Sequence, residues 1–156
     1  MSGFVIYLCC VPISWRSKGQ KTVTLSSTEA KWIALSEIVK EILFIAQILE
    51  SIDIKVQKPI KIKVDNTAAI FMATNVTTSQ RTKHIDIQSK FVLQYCENGT
   101  TLVKFMRGTD NDADIFTKNV TKELHEKHLP KLIINSDKLD NVRKSVKGYH
   151  NPIVHE

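Results

Sequence analysis

The sequence predicts a mixed α/β fold around one sheet, and three observations carry that prediction. Short runs rich in β-branched and aromatic residues stand at 4–8, 11–15, 60–64 and 102–106. Two long stretches, about 26–51 and 83–97, repeat apolar residues at three- and four-residue spacing. Over 156 residues, 42% are hydrophobic and 24% charged, ordinary values for one domain with a sizeable core.

The first two runs, Phe4 to Leu8 and Val11 to Trp15, read as a hairpin, followed by a basic turn with Arg16, Lys18 and Lys21. Thr22 to Leu25 extends the second strand or leads directly into a helix. Ser26-Ser27-Thr28-Glu29 fits a capping box, with Ser26 as N-cap and Glu29 at N3. Behind it Ala30, Ala34, Ile38, Ile42, Ile45 and Leu49 form an apolar stripe, so the helix is expected to reach about Ser51. Ile60 to Val64 alternates apolar and basic residues and ends at Asp65-Asn66. Thr67 to Thr74 reads as a short helix. A second long helix is expected over Lys83 to Glu97, with Ile87, Phe91 and Tyr95 on one side, closed by the turn signal Asn98-Gly99. Leu102 to Met106 is a strand, and Asp110 to Lys118 a loop leading into a helix start. Lys122 to Ile134 is a further helix, with Pro130 expected to kink it. From Asn135 the chain turns polar and basic, and 148–156 reads as frayed. The order is β-β-α-β-α-α-β-α-α.

The formal net charge of +6 favours an anionic partner, nucleic acid before membrane. The apolar start, Met1 to Cys10, lacks a basic leader and is far too short to span a bilayer; it reads as a buried strand. Cys9, Cys10 and Cys96 lack metal-ligand spacing. Cys9 and Cys10, adjacent on a strand, would point to opposite faces. All three are expected to be reduced thiols of an intracellular protein, cytoplasmic or nuclear.

Three carboxylates stand at element ends: Glu29 in the first helical turn, Asp65 after an apolar strand, and Asp114 at a helix start. Converging from separate elements, they would suit a hard divalent cation that takes oxygen ligands, and a pair of such ions can activate water against a phosphodiester. Each also has a purely local role open to it: Glu29 as a helix cap, Asp65 as a turn residue, Asp114 against a helix dipole.

Four local strings tip that balance. The run from Ile13-Ser-Trp-Arg-Ser-Lys to Ser27-Thr-Glu-Ala30, Val64-Asp-Asn-Thr-Ala-Ala-Ile70, Arg81-Thr-Lys-His-Ile-Asp-Ile87 and Ala113-Asp-Ile-Phe-Thr-Lys118 closely resemble the motifs of copia-type (Ty1/copia) retrotransposon ribonuclease H domains. They occur in that family's order and at about its spacing, across roughly residues 1 to 134. A ribonuclease H-like domain over 1–134 and a polar, basic tail over 135–156 are therefore expected.

The resemblance implies a five-stranded mixed sheet with flanking helices. It also implies hydrolysis of the RNA strand of RNA–DNA hybrids, with two Mg²⁺ ions (or Mn²⁺) held by four carboxylates. Matched by motif, Glu29, Asp65 and Asp114 are three of the four, as catalytic residues and metal ligands. Arg16, Lys18, Lys21, Asn66, Arg81, Lys83 and His84 are the expected substrate side. The family's fourth carboxylate lies on a first strand that runs through the sheet centre, between the hairpin and the Asp65 strand. The segment bearing it would precede Ser2, so the reading expects a truncated domain with exposed strand edges and little or no hydrolysis. Lys31 puts a cation where the family has an acid, and Cys9-Cys10 stand where it has turn glycines. His125 and His128, at i and i+3, fit a shared metal or a solvated helix face, the latter favoured. Trp15 and Trp32 are expected in the core.

The implied partners are RNA–DNA hybrid or other nucleic acid and, in the family, the reverse transcriptase part of the same polyprotein; no membrane is implied. Two functions follow: a hybrid-cutting hydrolase, and a catalytically dead remnant that still binds nucleic acid.

Overall fold

The computed structural model describes residues 1–19, 27–65, 67, 83–137, 139–140 and 153–155; within 27–31, 83–86 and 153–155 only the backbone is described. The chain is a mixed α/β structure, and the strands among the described residues form one five-stranded sheet, ordered β2-β1-β5-β3-β4.

Strands β1 (Ser2–Leu8) and β2 (Val11–Lys18) pair antiparallel from Ser2 opposite Lys18 to Leu8 opposite Val11, which is the expected hairpin. Cys9 and Cys10 form its two-residue turn rather than continuing the strand. Both take positive φ, 51° and 65°, the pattern of the turn whose twist matches a hairpin. Phe4 through Tyr7 are all buried because β1 is covered on both faces. Phe4 and Ile6 join the main core with Trp32, Leu35, Ile38, Val39 and Ile42. Val5 and Tyr7 point the other way, into a smaller core with Ala113, Phe116 and Leu132.

Helix α1 (Ser27–Ser51) begins where a Ser26 cap would put it and ends as expected, with the Ile54 N–H donating to Leu49 O at 2.9 Å. The cap itself lies outside the described residues, as do 20–26 and the short helix expected over 67–74, apart from Thr67. In β3 (Ile60–Val64) the apolar residues are buried while Lys61 and Lys63 are half-buried. It pairs in parallel with β4 (Thr101–Phe105), in register from Ile60 opposite Thr101 to Val64 opposite Phe105. Helix α2 (Lys83–Glu97) has the predicted bounds and packs on α1, with Val92 fully buried and Phe91 and Tyr95 edge to face at 5.0 Å. Ile87, expected on that buried side, is 68% exposed, because the contact with α1 is made farther along the helix. After β4 come two short 3₁₀ turns, Gly108–Asp110 and Asp112–Phe116, and helix α3 (Lys122–Leu132). Thr121 caps α3 by accepting from the Leu124 N–H, and Pro130 lies inside the helix near its end.

Two expectations are corrected here. Trp32 is in the core, but Trp15 is 60% exposed. It shares the sheet face of Val5, its cross-strand neighbour, yet sits on the edge strand, beyond the segment that covers Val5. The second correction concerns the sheet centre. Strand β5 (Ile153–His155) comes from the stretch read as frayed, and it fills the place where open strand edges were expected. It pairs antiparallel with Val5–Tyr7 of β1 and parallel with Lys61–Lys63 of β3. Two facing inner edges present unpaired N–H and C=O groups, and a β-branched pair, Ile153-Val154, is suited to satisfy them.

Candidate functional site

Asp65 follows β3 immediately, and Asp114 sits in the 3₁₀ turn Asp112–Phe116, which packs against β1. Their carboxylates meet over one cation. Lys118 Nζ donates to Asp114 Oδ1 and Oδ2 at 3.0 and 3.1 Å and lies 3.5 Å from Asp65 Oδ2. The Asp114 side chain is 15% exposed and that of Asp65 22%, whereas Lys118 reaches in from solvent at 56%. Partial burial opposes the charge on Lys118. The hydrogen bond and charge of Asp114, with Asp65, outweigh that, and the ammonium is held above the usual lysine range. Asn111 Nδ2 adds a longer contact to Asp114 Oδ1 at 3.3 Å.

The turn bearing Asp114 is fixed from several sides. The Asn111 side chain accepts from the Ala113 N–H at its start, and the Lys118 N–H donates to Asp114 O at its end. Gly3 of β1 lies so close that a Cβ there would fall 2.5 Å from Thr117 Cγ2 and 2.9 Å from Arg16 O. The Ser17 hydroxyl donates to Phe116 O. Behind the turn, the Asp112 carboxylate is almost fully buried and satisfied by three side chains from two elements. It accepts from the Tyr7 hydroxyl of β1 at 3.1 Å, meets His128 Nδ1 of α3 at 2.6 Å, and takes Lys131 Nζ at 2.6 Å. Burial first, then the charge and hydrogen bond of Asp112, push the Tyr7 phenol far above its ordinary range, so it remains a donor.

This buried network revises the reading of α3. His125 is exposed, as a solvated face requires, but His128 is 1% exposed and committed to Asp112, so the two do not share a metal. Asp112, Tyr7 and Lys131 were not singled out in the sequence. The spacing of His128 and Lys131, three apart on one helix face, was the available signal, but nothing local pairs that face with Asp112.

The third expected ligand, Glu29, lies in the first turn of α1, with its side chain outside the described residues. Among the described residues no three His, Cys, Asp or Glu side chains cluster to hold a metal. Of the expected substrate side, Arg16 is engaged with the protein itself: its guanidinium lies 3.6 Å from Glu41 of α1 and 5.5 Å from the centre of the Phe4 ring. Lys18 is exposed at the end of β2. Lys83 and His84 open α2 with undescribed side chains, and Lys21, Asn66 and Arg81 lie outside the described residues. All three cysteines are free thiols. Among the described residues, no helix is long and apolar enough to cross a membrane.

Retrotransposon polyproteins are similar to this chain over most of its length. It is 31% identical over 131 residues, 84% of the chain, to the retrovirus-related Pol polyprotein from transposon RE1 of Arabidopsis thaliana. The corresponding protein from transposon RE2 of the same plant is 32% identical over 121 residues, 78% of the chain. That from transposon TNT 1-94 of Nicotiana tabacum is 32% identical over 125 residues, 80% of the chain. The chain spans only 9%, 8% and 9% of these relatives, respectively. No family model and no solved structure matches it. The chain is thus similar, over most of its own length, to a short segment of retrotransposon Pol polyproteins.

Proposed function

We propose that this chain is a ribonuclease H-like domain of retrotransposon Pol origin, with a divalent-cation site at Asp65 and Asp114 completed by Glu29. The observation that carries the reading is the convergence of Asp65 and Asp114, from separate elements, on a single positive charge. Two partly buried carboxylates already arranged around a cation suit Mg²⁺ or Mn²⁺, which take oxygen ligands. The sheet supports the same reading: a hairpin, then a strand antiparallel to it, then the parallel pair β3–β4, with Asp65 at the end of β3.

Asp65 and Asp114, with Glu29, would hold the ion, which supplies activation of water and stabilisation of the leaving oxygen when bound. The protein's own contribution is rigidity. The buried Asp112 network and the tight Gly3 contact fix the turn that carries Asp114, and β3 fixes Asp65. The proposed substrate is an RNA–DNA hybrid, held through phosphates by exposed basic residues such as Lys18 and by the basic string 81–84. In the whole polyprotein the reverse transcriptase part would be the neighbouring partner.

Binding without cleavage is the second reading. It is favoured by Lys118, whose ammonium engages both oxygens of Asp114 and lies 3.5 Å from Asp65. Both readings are tested with labelled RNA–DNA hybrid. Residues 1–156 are expected to bind it with affinity that falls as salt rises. Cleavage with Mg²⁺ is expected under the first reading and not under the second. Asp65→Asn should abolish it. Salt-independent binding, or none, sinks both readings. Strong Asp65-dependent cleavage by residues 1–156 alone sinks the second.

A further inference from the structure

Lys118 stands where a divalent ion would have to stand. Its ammonium makes contacts of 3.0 and 3.1 Å to both oxygens of Asp114 and 3.5 Å to Asp65, thereby using lone pairs that a metal at this pair would need. The geometry is built into the local backbone. The Thr117 and Lys118 N–H groups both donate to Asp114 O, at 3.1 and 2.9 Å, so the chain turns back and places the i+4 side chain over the Asp114 carboxylate. The two carboxylates are mostly buried, and their mutual repulsion would be large without a cation between them. Lys118 is different: 56% exposed on a flexible stem, it can swing out to water without disturbing the core.

We propose that Lys118 is an exchangeable counter-cation of the Asp65–Asp114 pair: it holds the two carboxylates together when no divalent ion is bound and competes with that ion for them. The inference rests on the metal reading given above. Lys118 is a positioning residue in this role, acting through the two carboxylates. It sets the divalent-ion concentration at which the site fills, and it keeps the ligands converged in the meantime.

The test uses residues 1–156 as wild type, Lys118→Met, Lys118→Arg, Asp65→Asn and the Asp65→Asn/Lys118→Met double variant. Calorimetric titration with MnCl₂ should show Lys118→Met binding Mn²⁺ about five- to tenfold more tightly than wild type, a modest gain because the lysine is partly solvated. Lys118→Arg should return the affinity toward the wild-type value. A lysine that merely stabilises the fold would give weaker binding, or no change, on removal. Thermal melts in EDTA supply a metal-free readout. Lys118→Met should lower the midpoint when Asp65 is present and much less when Asp65→Asn has removed the repulsion. Additive effects in EDTA, or equal Mn²⁺ affinities in wild type and Lys118→Met, overturn the counter-cation role and leave the metal reading standing. Coupling in EDTA with no Mn²⁺ binding by either protein overturns the metal reading, and the competition falls with it.

Discussion

Asp112 is the residue whose surroundings say most about how the site is held. A carboxylate this deep in the molecule needs compensation, and it receives it from Tyr7, His128 and Lys131, which come from β1 and α3. Asp112→Ala would leave the Tyr7 hydroxyl and His128 buried without their acceptor. It should cost about 3–5 kcal/mol, read by denaturant unfolding, and loosen the turn carrying Asp114. A loss below about 1 kcal/mol would mean that the network contributes no more than an ordinary surface contact. Of the residues at the candidate site, Asp65 and Asp114 were legible in the sequence because each sits at an element end inside a recognisable string. Lys118 lay in one of those strings, but nothing in its immediate neighbourhood indicates that it faces two carboxylates rather than solvent. Asp112 and His128 were illegible for a related reason: burial of a polar pair depends on what packs over it.

At the scale of elements, local pattern was a reliable guide wherever an element's own residues decide its form. The bounds of β3 and α2 follow directly from alternation and helical spacing, and α1 ends where its apolar stripe ends. The hairpin was legible too, but its turn was not. Cys9 and Cys10 occupy a conformation that disfavours side chains with a Cβ, at roughly 1–2 kcal/mol per residue, and that glycine and asparagine adopt readily. Cys9→Asn with Cys10→Gly should therefore raise stability by about 1–2 kcal/mol, measured as an upward shift of the thermal midpoint with no change in far-UV circular dichroism. An unchanged or lower midpoint would place the stability of β1–β2 in its packing alone. Trp15 was misread because alternation says which face a residue takes, and edge position says whether that face is covered.

For the molecule as a whole, the decisive feature is β5. Among the described residues, the hairpin and the β3–β4 pair meet in one sheet only through Ile153–His155. Deleting 153–156 should expose the inner edges of β1 and β3. Hydrogen exchange is then expected to accelerate at amides of Val5–Tyr7 and Lys61–Lys63 that β5 protects, far more than in α1. Exchange unchanged there would show that the two halves hold together through helix packing alone. By itself the sequence determined the α/β class, most element bounds, and Asp65 and Asp114 as residues of interest, because periodicity, turn chemistry and motif strings are local properties. The tertiary structure alone decided that the C-terminal strand takes the sheet centre, that His128 is buried against Asp112, and that Lys118 bridges the two aspartates. Each of these joins segments far apart in the chain, or depends on how they pack. Such contacts follow from which edges and charges remain unsatisfied once the local elements have assembled, and no window of sequence contains that information.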